Sequence, residues 1–301
     1  MVFDDHPIQF LLTELWKYDR SRKDIRIVRG TVLMGIVALF AAAIGSAAYA
    51  DQPVNWGIDL RPAASPVMED IRWFHNVLLL PLITVITLFV VGLMVYVMVR
   101  FNKKANPVPS NFTHNTTIEV LWTVIPVIIL VIIAIPSFKL LYKADSVAEP
   151  EMTLKVTGNQ WYWSYEYPDH GGFSFDANLL EGDDLPEGRP RQLATDNEVV
   201  LPVDTDIRII VTASDVLHNF AMPSFGLKID TVPGRLRETW VRITREGTFY
   251  GQCSELCGVR HAYMPIEVKA VSKEEFKAWV TKAQAQFGTP GAQPTKLASA
   301  Q

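Results

Sequence analysis

Two long stretches without a charged side chain constrain this chain most. Residues 77–99 and 120–138 contain no Asp, Glu, Lys or Arg, which makes runs of 23 and 19 residues. At 1.5 Å per residue, a helix of ~20 apolar residues crosses the ~30 Å hydrocarbon core of a bilayer. A buried helix pair in a soluble protein is the alternative. Two such runs joined by a short polar segment favour a transmembrane hairpin, which we assign to residues 73–144.

The segment between the two runs indicates the orientation of the hairpin. Arg100, Lys103 and Lys104 follow the first run, and no acidic residue occurs until Glu119. Loops rich in Lys and Arg stay in the cytoplasm. Both outer flanks then face away from it, so residues 145–271 are predicted to lie in the periplasm of an inner-membrane protein, or in an equivalent intermembrane space.

Residues 1–50 have the layout of a signal peptide. Basic residues between positions 20 and 29 precede an apolar run, which ends in Ala48-Tyr49-Ala50. This ending predicts cleavage before Asp51 and leaves residues 51–72 as a short extracytoplasmic segment. The alternative is a retained third membrane helix, because residues 31–50 are uncharged and long enough to span.

Charge and hydropathy differ between the two halves of the chain. A mean hydropathy of +0.14 averages an apolar first half with a polar second half. Residues 145–270 contain 20 acidic and 11 basic side chains, a balance of -9. Such a surface suits a basic protein partner and argues against nucleic-acid binding.

The second half is predicted to be an all-β domain. Between residues 153 and 271, short apolar runs with β-branched and aromatic residues alternate with Pro and Gly turns. This pattern favours a β-sandwich. The predicted strands are residues 153–157, 160–167, 198–203, 207–212, 239–243, 248–251 and 266–271. Residues 272–301 are predicted to form a helix that is capped by Ser272, followed by a loose tail rich in Pro, Ala and Gly.

One segment of this domain carries metal chemistry. Cys253, Cys257, His261 and Met264 fall at positions 0, +4, +8 and +11 of a single run. Two thiolates, a thioether and an imidazole favour copper, because sulfur stabilises Cu(I) and imidazole accepts both oxidation states. His218 supplies a second imidazole if the sandwich brings the two loops together.

Three other sites compete with a copper pair. A disulfide between the only two cysteines leaves His261 and Met264 unexplained. Tetrahedral zinc has no use for Met264, and a mononuclear blue-copper site needs only one cysteine. Two thiolates that bridge two copper ions match the donor count. No open position remains for a substrate, so the site should carry electrons.

The sequence resembles cytochrome c oxidase subunit II. The resemblance rests on the C-S-E-L-C-G-x-x-H-x-x-M run at residues 253–264 and on the Q-W-Y-W-S-Y-E-Y run at residues 160–167. It implies a cupredoxin-like sandwich with a dinuclear copper A centre, and a Mg²⁺ or Mn²⁺ ion that the Glu255 side chain shares with subunit I. The implied metal ligands are His218, Cys253, Glu255 (through its carbonyl for copper), Cys257, His261 and Met264.

The same resemblance implies further functional residues. Trp161 is similar to the residue at which electrons arrive from cytochrome c, and Glu119 to a carboxylate at the mouth of a proton pathway. Glu166, Asp176 and Asp215 would dock a lysine-rich cytochrome c. Each of these residues also has a purely structural explanation. Trp161 would belong to a core strand, Glu119 would cap a helix, and the three acids would lie scattered on a solvent-exposed face.

The resemblance predicts an oxidase subunit that accepts electrons from cytochrome c and passes them to haem in subunit I. There oxygen is reduced to water, coupled to proton transport. The predicted partners are subunit I, other oxidase subunits, cytochrome c and membrane lipid. A copper A domain of a nitrous oxide or nitric oxide reductase is the alternative within the same chemistry. A membrane-tethered copper chaperone is the alternative of a different class.

Overall fold

The structure is a computed structural model that describes residues 51–145 and 149–288. The predicted signal peptide at residues 1–50 and the predicted tail after residue 288 lie outside the described residues. Helix α1 spans Pro66–Arg100 and helix α2 spans Thr116–Asp145. Both are long and apolar enough to cross a membrane, as the sequence predicts. Helix α1 begins at Pro66, before the predicted boundary at residue 73.

Helix α1 has two features that follow from its sequence. Ser65 is its N-cap, and its Oγ accepts a hydrogen bond from the Met68 N–H at 3.0 Å. Residues Phe74–Leu79 form a π-helical turn within the helix. From Leu80 to its end the helix has no buried residue, and helix α2 has none at all. Their apolar side chains are therefore open to lipid or to other membrane subunits.

Two five-stranded sheets form the domain after the hairpin. The strands are β1 Met152–Asn159, β2 Tyr162–Tyr167, β3 Phe173–Ala177, β4 Val199–Pro202, β5 Ile207–Ala213, β6 His218–Met222, β7 Leu227–Thr231, β8 Arg237–Val241, β9 Gly247–Cys253 and β10 Pro265–Val271. The first sheet has the order β3-β2-β1-β5-β8 and the second has the order β4-β10-β9-β6-β7. The predicted sandwich is confirmed.

Three strands, β3, β6 and β7, were not predicted from the sequence. All five residues of β6 are buried, including His218 and Asn219. Polar residues within a buried strand hide the apolar run that normally indicates one. Gln160 and Trp161, in turn, were assigned to a strand but lie in the turn between β1 and β2.

Aromatic side chains fill the interior between the sheets. Trp163 is completely buried and meets Phe220 edge to face at 5.3 Å between ring centroids. Helix α3, Lys273–Phe287, is capped by Ser272, as its sequence predicts, and Ser272 forms a capping box with Glu275. It packs Phe276 onto the buried cluster.

The β-domain is bonded to the outer ends of both helices. The Trp240 indole donates to the carbonyl of Lys143 in α2 at 2.8 Å, and Ser65, which caps α1, donates to the Phe225 carbonyl at 2.7 Å. The buried carboxylate of Asp51 pairs with Arg61 at 2.9 Å and with Arg245 at 3.1 Å. These contacts fix the orientation of the domain relative to the hairpin.

Candidate metal centre

Strand pairing brings the predicted metal ligands to one end of the sandwich. His218 is the first residue of β6 and Cys253 is the last residue of β9. The two strands are antiparallel neighbours, with Phe220 opposite Cys253. The loop after β9 then turns back into β10, and the Cys253 N–H donates to the carbonyl of Met264 at 3.0 Å. Residues that are 46 positions apart in sequence are therefore close in space.

Two sulfurs and two imidazoles converge there. Cys253 Sγ lies 3.8 Å from Cys257 Sγ and 3.9 Å from His218 Nδ1. His261 Nδ1 lies 3.5 Å from Cys257 Sγ, so each imidazole lies beside a different sulfur. The donor atoms of His218, Cys253 and Cys257 all lie within 4.8 Å of one another, and the three residues are buried. Both cysteines are free thiols, since a disulfide would bring the sulfurs to about 2.05 Å.

Met264 and Glu255 lie in the same loop. Met264 is completely buried and belongs to the same buried cluster as both cysteines. The Glu255 carbonyl oxygen lies 3.3 Å from Cys253 Sγ. The Glu255 side chain is exposed, and none of the described residues hydrogen-bonds to its carboxylate. The main chain of Glu255 therefore faces the thiols, while its carboxylate is exposed.

The two thiols differ electrostatically. Burial by itself raises the pKa of Cys253, but hydrogen bonds from His218 and from the main chain outweigh it and lower the pKa to about 7. Burial and the negative charge of Cys253 raise the pKa of Cys257 to about 12. Cys253 therefore loses its proton first, and a cation is required to stabilise both thiolates together near neutral pH.

Trp161 lies against the metal loop. Its indole Nε1 donates to the Cys257 carbonyl at 3.2 Å, and Gln160 Nε2 donates to the same oxygen at 2.8 Å. A side chain at Gly258, which has a φ of +119°, would meet the indole at 3.1 Å. The half-buried indole is thus hydrogen-bonded to the main chain of a predicted ligand. Trp163, in contrast, is completely buried in the core.

The three predicted docking acids occupy two places. Glu166 and Asp176 lie on the outer face of neighbouring strands β2 and β3. Glu166 pairs with Lys155 at 2.8 Å, whereas Asp176 accepts a hydrogen bond from Ser164 at 2.6 Å. Asp215 lies elsewhere, beside the metal ligands, where its carboxylate contacts His218 Nε2 at 2.8 Å.

Glu119 is part of the cap of α2. Its Oε1 accepts a hydrogen bond from the Asn115 N–H at 3.3 Å, and Asn115 Oδ1 accepts one from the Ile118 N–H at 3.2 Å. The capping alternative is therefore present in the structure. A second role in proton transfer stays a prediction, because no described residue connects this carboxylate to a partner subunit.

Two residues that shape the site were not predicted. Gln160 contacts both Asp215 and the Cys257 carbonyl, and its place directly before Trp161 was the available signal. Gly158 lies under the imidazole of His218, where a Cβ would come within 2.9 Å of Cδ2. No pattern in the sequence indicates that close approach.

Comparison with known proteins decides the family. The family model for the transmembrane domain of cytochrome c oxidase subunit II matches residues 53–140, and the model for its periplasmic domain matches residues 152–271. The chain belongs to the cytochrome c oxidase subunit II family. The prediction made from the motifs is confirmed, and the copper-chaperone alternative is set aside.

Similar proteins of this family occur in bacteria and in eukaryotes. A probable cytochrome c oxidase subunit 2 of Rickettsia felis is 49% identical over 247 residues, covering 82% of this chain and 78% of the relative. Cytochrome c oxidase subunit 2 of Phytophthora megasperma is 48% identical, covering 77% and 89%. The solved periplasmic domain of cytochrome oxidase subunit II from Bradyrhizobium japonicum is 51% identical, with a TM-score of 0.44 over 47% of this chain and 99% of that one.

The donor set fits the copper that this family binds. Buried sulfur and imidazole donors suit copper in both oxidation states. The described residues therefore contain a His and Cys group that can hold a metal ion.

Proposed function

We propose that this chain is the electron-accepting subunit of a haem-copper terminal oxidase. It takes electrons from cytochrome c and passes them to haem in subunit I, where oxygen is reduced to water coupled to proton transport. The observation that carries this proposal is the convergence of His218, Cys253, Cys257 and His261, with the Trp161 indole hydrogen-bonded to the Cys257 carbonyl.

The proposed cofactor is a pair of copper ions. Cys253 and Cys257 would bridge both metals, His218 and Met264 would complete one, and His261 with the Glu255 carbonyl would complete the other. The position of each imidazole beside a different sulfur supports this division. When bound, the pair supplies a one-electron redox couple shared by two metals. His218, Cys253, Cys257 and Met264 are buried at one end of the sandwich, where strand pairing holds them in place and would limit reorganisation when the charge changes.

Trp161 and the acidic face are proposed to serve cytochrome c. The indole bridges the domain surface and the Cys257 carbonyl, so it provides a short covalent and hydrogen-bonded path to a ligand. Glu166, Asp176 and Asp215 add negative charge that steers a basic partner, an interaction that salt weakens. At the other end of the chain, Glu119 is proposed to act at a proton-pathway entrance in addition to capping α2.

Glu255 is proposed to bind a second kind of metal. Its exposed carboxylate would share a Mg²⁺ or Mn²⁺ ion with subunit I, since hard cations prefer oxygen ligands. In a purified oxidase complex grown with Mn²⁺, we expect Glu255→Gln to lose the bound manganese while it retains copper.

The proposed location is the cell inner membrane, with two spans and the copper domain in the periplasm. Mass spectrometry of the mature chain tests the processing step, for which we expect an N-terminus at Asp51.

Copper content of the full chain, purified in detergent and loaded with copper, tests the central proposal. We expect two coppers per chain and a seven-line hyperfine pattern in the EPR spectrum, which is the pattern of one unpaired electron shared by two copper nuclei. His218→Ala and His261→Ala should each disturb this spectrum. One copper with four lines, or zinc alone, would refute the dinuclear centre and favour the blue-copper or structural-zinc alternatives.

A further inference from the structure

The carboxylate of Asp215 is held by three groups beside the metal site. Its Oδ1 lies 2.8 Å from His218 Nε2 and accepts the Val216 N–H at 2.6 Å. Its Oδ2 accepts the Gln160 N–H at 2.7 Å. Although its side chain is 31% exposed, both of its oxygens are engaged. An acid that acted only through its charge would need none of these contacts.

The contact with His218 decides which ring nitrogen faces the thiols. A carboxylate accepts hydrogen bonds, so the Nε2 of His218 must carry the proton. Nδ1 lies 3.9 Å from Cys253 Sγ and is the nitrogen that is left to bind a metal. The His218 ring is completely buried and packs edge to face on Trp163, with 6.0 Å between ring centroids. The proton on Nε2 and the ring orientation are therefore both fixed.

The contact with Gln160 connects the ligand to the tryptophan. Gln160 directly precedes Trp161, and the two side chains donate to the Cys257 carbonyl at 2.8 and 3.2 Å. The Gln160–Trp161 turn is thus attached to the site at two points, through Asp215 to His218 and through the carbonyl to Cys257. Displacement of the carboxylate would release the first of these attachments.

From this geometry we infer that Asp215 is a positioning residue of the metal centre. It holds His218 in the Nδ1-ligating tautomer, and it anchors the turn that carries Trp161. This inference rests on the proposed function and extends it, because it assigns Asp215 a role that a docking acid does not have. A carboxylate that accepts from a ligating imidazole also makes the ring a stronger donor, which stabilises the oxidised metal more than the reduced metal.

Asp176 provides a matched control. It is an exposed acid in the same domain and in the set of predicted docking residues, but its carboxylate bonds to Ser164, which is not a metal ligand. Asp176→Asn therefore removes one negative charge from the proposed docking surface without a direct effect on the ligands. Asp215→Asn removes the charge but keeps one oxygen for the His218 N–H, and Asp215→Ala removes both.

The experiment compares these three variants with the unchanged full chain in detergent. Copper affinity is measured by chelator competition, and the reduction potential by mediated titration of the copper absorption. Loss of an outer partner of a ligating imidazole typically weakens metal binding about 10-fold to 100-fold, which we expect for Asp215→Ala, with a smaller loss for Asp215→Asn. If the loss of copper affinity is tenfold greater for the oxidised centre than for the reduced centre, the reduction potential rises by about 59 mV.

The outcomes separate this inference from the proposal on which it rests. Raised potentials in both Asp215 variants, with an unchanged value in Asp176→Asn, support the positioning role. If all three variants keep the original affinity and potential and only react more slowly with cytochrome c, Asp215 is a docking acid alone and the inference is wrong. Failure of the unchanged chain to bind two coppers would instead refute the proposed function. Asp215→Asn decides the question if Asp215→Ala does not fold.

Discussion

The substitution Gly158→Ala adds a methyl group next to the imidazole of His218 and should disturb the metal site. Gly158 lies in β1, and a Cβ there would be 2.9 Å from Cδ2 of His218, 3.1 Å from its Cγ and 3.0 Å from Oγ1 of Thr231. Ordinary van der Waals contact begins at 3.4 Å, so the imidazole has to move. It has little freedom to do so, because Trp163 packs against it and Asp215 holds its Nε2.

Both the stability and the metal affinity should fall in Gly158→Ala. Overpacking a well-filled interior costs about 1–3 kcal/mol, and we expect the free energy of unfolding of the metal-free chain to decrease by that amount. A displaced imidazole also moves Nδ1 relative to the two sulfurs. A metal site tolerates displacements of only about 0.5 Å, so copper should bind less tightly and its hyperfine pattern should change.

Guanidinium unfolding with and without copper measures both effects on the full chain in detergent. Gly182→Ala is the control: Gly182 has a φ of +58° with no atom within 4 Å of a Cβ, so alanine strains the main chain without contact with the site. The control should lose stability but keep its copper affinity and spectrum. The reasoning is refuted if Gly158→Ala retains both the stability and the copper spectrum of the unchanged chain.

Three further predictions concern charges and the tryptophan. Glu267→Gln should lower the free energy of unfolding by about 2 kcal/mol in urea titrations, because the buried carboxylate binds Arg189 and the Thr195 N–H. Copper loading should release a proton from Cys257, whose pKa is about 12, up to about pH 9, and further protons from Cys253 and His218 as the pH falls through about 7. Burial lowers the pKa of His218, but its contacts with Cys253 and Asp215 outweigh burial and raise it. The apparent affinity in chelator competition should therefore fall more steeply below pH 7 than above it. Trp161→Phe removes the hydrogen bond to the Cys257 carbonyl. It should leave the copper spectrum unchanged while stopped-flow reduction by cytochrome c slows about tenfold, a barrier increase of ~1.4 kcal/mol.

The sequence predicted those features that depend on local pattern. A membrane span needs only a long uncharged run, so both helices were predictable from residues 77–99 and 120–138. The N-cap of α3 was equally local, since Ser272 directly precedes the helix. The ligand motif was readable for the same reason, because five of its six predicted donors fall within residues 253–264.

Only the tertiary structure decided which groups meet across the sandwich. The position of His218 beside Cys253 follows from the pairing of β6 with β9, and β6 was not predicted because its polar residues are buried. The three hydrogen bonds of Asp215 depend on two separate turns of the chain. In the sequence, Asp215 is one of 20 acidic residues in this domain, and no local pattern distinguishes it from the others. Local pattern determines which elements form and which atoms can bind a metal, whereas long-range packing determines which of those atoms come within bonding distance.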